Sequence, residues 1–192
     1  MKTRCAWVSD KQICIDYHDF EWGTPVFDDD KLFELLLLEC FQAGLSWITI
    51  LNKRENFREA FDGFDYVKIA KYDEKKIASL LTDKGIIRNR RKIEASVVNA
   101  RAYLNIQQTY SSFSNYLWKS VNGKPIINHW PSKADVPTTT KESDSLSKNL
   151  KKHGFKFVGS TTIYAFMQAT GMVMDHTTDC FRYKELSRTK TG

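Results

Sequence analysis

Proline and histidine are scarce, at four residues each in 192. Three of the prolines, Pro125, Pro131 and Pro137, fall in the 122–140 segment, which marks that stretch as the main loop. There is no internal repeat and no low-complexity stretch, which excludes solenoid and disordered classes. Long apolar runs are missing too. The greasiest run, Leu35–Leu38, is bounded by Glu34 and Glu39, well short of the roughly 20 residues of a membrane span. The opening residues, MKTRCAWVSDKQICIDYHDFEW, lack the apolar core of a signal peptide, so a cytoplasmic protein without a membrane partner is expected. In that reducing compartment the four cysteines argue against disulfides and leave metal binding or plain burial.

What is present is a large apolar share, 42%, with 13% aromatics, enough for a substantial core. Lys and Arg outnumber Asp and Glu by 29 to 23, and the resulting +6 favours an anionic partner without proving one. Strand signals are weak and helical ones dominate, so the class is all-α. Residues 1–192 read as a single domain of two interleaved lobes, with 181–192 as a flexible tail. Asp28 to Asp30 supply caps for a helix that runs to Gly44. A second is expected from Ser46 past Arg54, and Asp65 and Asp73 cap two more. Helices follow over 89–104 and 113–122. Ser143 caps one that ends at Gly154, and Ser160 opens the last, to Thr170.

The stretch LFELLLLECFQAGLSWITIL, residues 32–51, holds two acids. At about 100° per residue, Glu39 lies roughly 140° around the helix from Glu34. Glu34 shares the solvent side with Lys31, whereas Glu39 aligns with Leu32, Leu35 and Leu36 and looks inward. An inward Glu is either a core acid tied to an amide or an Arg, or a carboxylate lining an apolar pocket and tuned for chemistry or for a cation. Trp7, Tyr17, Trp22 and Trp47 crowd the first quarter of the chain. Each alone suits a core; four near one inward acid suit the walls of a site for a flat, cationic ligand.

Cys5 and His18 lie near one end, and DHTTDC places His176 and Cys180 near the other. His and Cys four apart share a face on a helical turn, and two such pairs make a closed tetrahedral set that suits a structural zinc. The alternative is ordinary thiols and solvated histidines. Separately, LLTDKGIIRNRRKI joins two helices through Gly85 and carries Arg88, Arg90, Arg91 and Lys92. A glycine turn between helices with basic flanks is similar to a helix-hairpin-helix, where backbone N–H groups meet a phosphate. Ile87 stands where that pattern repeats glycine.

RCAWV, YHDFEWG, LFELLLLECFQAGLSWITIL, KREN, GIIRNRRKI, NARAYL, LSKNLKKHGFKFVGSTTIYAFMQATG and DH…C run in one order from residue 4 to 180. Together they resemble the DNA-3-methyladenine glycosylase I family. The resemblance implies a helix-hairpin-helix DNA glycosylase fold with a structural zinc joining the N- and C-terminal segments. It implies one zinc per chain on Cys5, His18, His176 and Cys180. It also implies a base pocket of Tyr17, Glu39 and Trp47, with Trp7 and Trp22 nearby. The implied reaction is hydrolytic release of 3-methyladenine from double-stranded alkylated DNA, with no strand cleavage. Cys14 departs from the family pattern, which tends to have tyrosine there, and puts fine base selectivity in doubt.

On that footing the enzyme flips the base, with Trp47 stacking on it, Glu39 and Tyr17 hydrogen-bonding it, Leu45 wedging the duplex and the Gly85 turn gripping the backbone. The chain is expected to act as a monomer and to yield the free base. Two other readings use the same residues. A zinc-stapled DNA-binding module without catalysis leaves Glu39 and the aromatics as core. A small-molecule metalloenzyme needs an open metal position that four nitrogen and sulfur ligands do not leave.

Overall fold

The computed structural model describes residues 2–187. Short polar residues open many of its helices. Asp28 accepts from the Lys31 N–H at the start of α2, Asp29–Gln42. Asp65 does the same for α5, Tyr66–Ile69, Asp73 for α6, Glu74–Thr82, and Asn89 for α7, Arg90–Tyr110. Each side chain satisfies a backbone donor that a helix N-terminus leaves without a partner. Upstream, α1 is Gln12–Asp16 and passes directly into a π-helical turn, Tyr17–Glu21. The helix expected from Ser46 past Arg54 is two, α3 at Trp47–Leu51 and α4 at Arg54–Ala60, broken at Asn52 and Lys53. Downstream come α8, Phe113–Trp118, α9, Lys141–Lys152, α10, Ser160–Ala169, and α11, Phe181–Leu186.

Other expectations change as well. Thr140, not Ser143, caps α9, in a reciprocal capping box with Ser143 at the third helical position. The tail expected from 181 is instead helical as far as Leu186, while 188–192 lie outside the described residues. Two short strands, β1 at Ile126–Ile127 and β2 at Val173–Met174, pair in parallel and add a small non-helical element.

The core forms around α2, which packs against α3, α7, α8 and α10. Nine of its fourteen residues are buried, so it has no open solvent face. Glu34 is accordingly not solvated: its side chain is only 12% exposed and is held by Lys31 at 3.1 Å and Arg58 at 2.7 Å. A smaller apolar cluster gathers Cys5, Tyr17, Trp22, Leu51, Ala169 and Cys180, and Trp47 packs against both clusters. No helix among the described residues is long and apolar enough to cross a membrane.

Candidate active site

Between the two clusters lies a cavity of about 580 Å³. One wall carries Trp7, Cys14, Tyr17, Trp22, Glu39 and Trp47, and the opposite wall comes from the 133–138 loop and α10. The inward acid and the four aromatics singled out in the sequence therefore share one space. Trp7 meets Trp22 edge-on with centroids 5.1 Å apart, and Tyr17 lies 5.2 Å from Trp47.

Glu39 is 4% exposed on the pocket side of α2, and no hydrogen bond or ion pair reaches its carboxyl among the described residues. Burial without a countercharge pushes its pKa up to about 8. The buried Tyr17 phenol is raised well above its ordinary value, first by burial and then by Glu39. The indole N–H groups of Trp7 and Trp47 are buried without a protein acceptor. Buried polar groups normally find partners, so this concentration of unsatisfied ones at a concave apolar site points to a ligand.

The π-helical turn gives adjacent residues different tasks. Tyr17 lines the cavity, while His18 turns to a buried cluster with Cys5, His176 and Cys180, whose ligand atoms all lie within 4.8 Å of one another. Cys180 Sγ is 3.4 Å from His18 Nε2 and 3.5 Å from His176 Nδ1, and Cys5 Sγ is 3.5 Å from His176 Nδ1. Contact between the two sulfurs lowers the Cys180 thiol and raises that of Cys5. Each imidazole uses its second nitrogen elsewhere: His18 Nδ1 is 2.8 Å from Asp19, which Arg4 clasps, and His176 Nε2 is 3.0 Å from the Trp22 carbonyl. The group could hold a metal ion, and its outer contacts would fix the ligand orientation. His176 and Cys180 converge on a turn rather than on the helical turn expected for them.

Sequence reasoning missed Asp175. Buried beside the Cys/His cluster, it accepts from Asn128, Trp130, Tyr164 and Gln168 at 2.6–2.8 Å and ties the β1 segment to the pocket face of α10. Its four donors come from two separate stretches, the one after β1 and α10, so no local signal could reveal it. Both its oxygens are occupied, which leaves no lone pair aimed at a substrate water.

Leu45 is 38% exposed on a corner that Gly44, at φ +81°, allows the chain to turn. At the Gly85 turn the glycine's own backbone groups are engaged. The Gly85 N–H binds Asp83 at 2.7 Å, and the Gly85 carbonyl accepts from Lys53 and Asn56. Arg90 pairs with Glu74 and Glu94, whereas Arg88 and Arg91 face outward. Lys92 corrects the expectation of a phosphate contact: it is 8% exposed and donates to the carbonyls of Phe41 and Ala43.

With this geometry in place, the chain compares closely with known proteins. A methyladenine glycosylase family model matches residues 7–183. The DNA-3-methyladenine glycosylase of Haemophilus influenzae is 54% identical over 180 residues, 94% of this chain and 97% of that protein. A crystal structure of 3-methyladenine DNA glycosylase I superposes with a TM-score of 0.91 at 52% identity, covering 93% of this chain and 98% of that one. A tyrosine-to-phenylalanine variant of 3-methyladenine DNA glycosylase I, solved in complex with 3-methyladenine, gives 0.90 at 42% identity, covering 93% and 96%.

Proposed function

The chain belongs to the methyladenine glycosylase family, and on that premise we propose that its pocket takes a flipped 3-methyladenine and releases it from DNA. The protein is a base-excision-repair DNA glycosylase. The observation that carries the site assignment is Glu39, buried among aromatic rings with no partner of its own.

Methylation at N3 makes adenine cationic, which weakens the bond to the sugar and makes the base a good leaving group. Water adds to the anomeric carbon, and the glycosidic electron pair leaves with the base. A water proton passes to solvent, and the products are neutral 3-methyladenine and an abasic site. Such a leaving group needs little acid catalysis, so this chain's residues act chiefly by selecting and holding it. Trp47 stacks on the flipped ring, Tyr17 contributes a hydrogen bond, and Trp7 and Trp22 close the wall. Glu39 accepts the base N–H groups. The cation supplies a countercharge and so favours the carboxylate. Neutral adenine offers no such compensation and leaves the cost of a buried charge unrelieved.

Leu45 is the wedge that fills the vacated stack. Arg88 and Arg91 neutralise phosphates beside it, on a turn that Gly85 shapes, and Arg90 contributes less because two carboxylates already pair with it. This is double-stranded DNA bound in a helix-hairpin-helix manner, by one copy of the chain.

The metal we assign is zinc. Zn–S near 2.3 Å and Zn–N near 2.0 Å at a tetrahedral angle would place sulfur and nitrogen about 3.5 Å apart, and three of the cluster's sulfur–nitrogen separations are 3.4–3.5 Å. Cys5, His18, His176 and Cys180 would hold the ion with no position left for water, so its role would be structural, fastening the N-terminal segment to the turn after β2.

Incubation with methylated duplex DNA followed by chromatography of the released bases tests the reading. Free 3-methyladenine is expected; binding without release would leave a DNA-binding module.

A further inference from the structure

Helix α2 carries Glu39 into the pocket and ends three residues later, at Gln42, just before the corner that presents Leu45. Its terminal carbonyls need donors. One comes from within the corner, where the Leu45 N–H binds the Gln42 carbonyl at 2.7 Å, and the Gln42 side-chain amide in turn donates to the Leu45 carbonyl at 2.7 Å. The others come from a distant part of the chain. Lys92, in the first turn of α7, passes its side chain inward and its ammonium donates to the carbonyls of Phe41 at 2.8 Å and Ala43 at 2.6 Å.

No carboxylate pairs with this ammonium among the described residues. Its charge is met by the negative end of the α2 dipole, where a cation is favoured. A buried lysine is costly unless it is well bonded, so spending one on two carbonyls at this corner fixes the corner firmly. Lys92 also follows Arg91 directly, and Asn89 binds its backbone N–H at 3.2 Å. The basic turn and the end of the pocket helix are therefore joined by one side chain.

We propose that Lys92 is a positioning residue that locks the Gly44–Leu45 corner to the Gly85 turn, so that the wedge and the Glu39 pocket hold a fixed relation while the DNA backbone is gripped. This rests on the reading of Leu45 as the wedge. Lys92 acts through the Phe41 and Ala43 carbonyls and touches neither base nor phosphate.

The test is Lys92→Met, which keeps the stem and removes the ammonium; Lys92→Gln, which keeps one donor, serves if the first does not fold. Three measurements are made on each. Amide hydrogen exchange at 43–46 should quicken roughly tenfold or more, as the loss of charged hydrogen bonds implies. The salt dependence of binding to unmodified duplex should keep its slope, whereas Arg91→Ala should reduce it by about one. Release of 3-methyladenine should fall more on methylated duplex than on methylated single strand, where nothing has to be pried apart. Unchanged exchange at the corner, a reduced salt slope, or equal losses on both substrates would overturn the proposal. If the wild type releases no base, the glycosylase reading fails, and exchange and salt slope still decide what Lys92 does. Leu45→Ala on the same substrates judges the wedge separately.

Discussion

Glu39 sits where an ionised carboxyl is costly, and burial alone accounts for its displacement from 4.5 to about 8. An acid whose folded pKa is raised binds more protons folded than unfolded between those two values. Stability should therefore fall as pH rises from about 5 to 8, with the full penalty present above the folded value. Glu39→Gln removes the titration and keeps the shape. The variant should be as stable as wild type near pH 5 and more stable near pH 8, yet excise 3-methyladenine far more slowly. Denaturant melts at both pH values and base-release rates read these effects. Parallel pH profiles would remove the uncompensated charge, and equal release rates would remove Glu39 from recognition. The inward direction of Glu39 was legible in the helical phase alone. Its lack of a partner was not, because that depends on what other segments bring to the cavity.

Elements in this fold turn at glycines for two different reasons. Gly44 and Gly171 both have positive φ, +81° and +68°. Around Gly44 nothing lies within 4 Å of an added Cβ, whereas at Gly171 that atom would sit 2.5 Å from backbone atoms of Thr24 and Pro25. Gly44→Ala should cost about 1–2 kcal/mol, the strain of a left-handed alanine. Gly171→Ala should cost distinctly more, because the backbone after α10 must part from the segment that follows Trp22. Chemical denaturation compares the two, and equal losses would show that the close approach does not constrain the fold. Polar caps at 28, 65, 73 and 89 were readable because capping is local. The exposed side assigned to Glu34 was misjudged because helix phase orients a side chain but does not say which neighbours surround it. Arg58, on α4, covers that face.

At the scale of the whole molecule, the pocket and the cluster of Cys5, His18, His176 and Cys180 share a wall. Trp22 lines the cavity, its ring lies 4.6 Å from His176, and its carbonyl meets the Nε2 of the same residue. Metal removal should therefore reach the pocket. Elemental analysis should find about one zinc per chain. Chelation should lower the melting temperature, expose the Cys5 and Cys180 thiols to titration and weaken binding of free 3-methyladenine. A chelated protein with unchanged melting and base affinity would separate the cluster from the site.

The chain order of apolar, polar and capping residues by itself determined a helical protein, the inward face of α2, and which Cys and His types stand ready near the two ends. These follow from local geometry and ligand chemistry, which neighbouring residues express without help. Only the tertiary structure decided that Lys92 serves the end of α2 instead of a phosphate, that Asp175 gathers four donors, and that the Gly85 amide is already bound. The Lys92 and Asp175 outcomes depend on donors and acceptors from separate segments being brought within 3 Å, and packing of the whole core sets that distance.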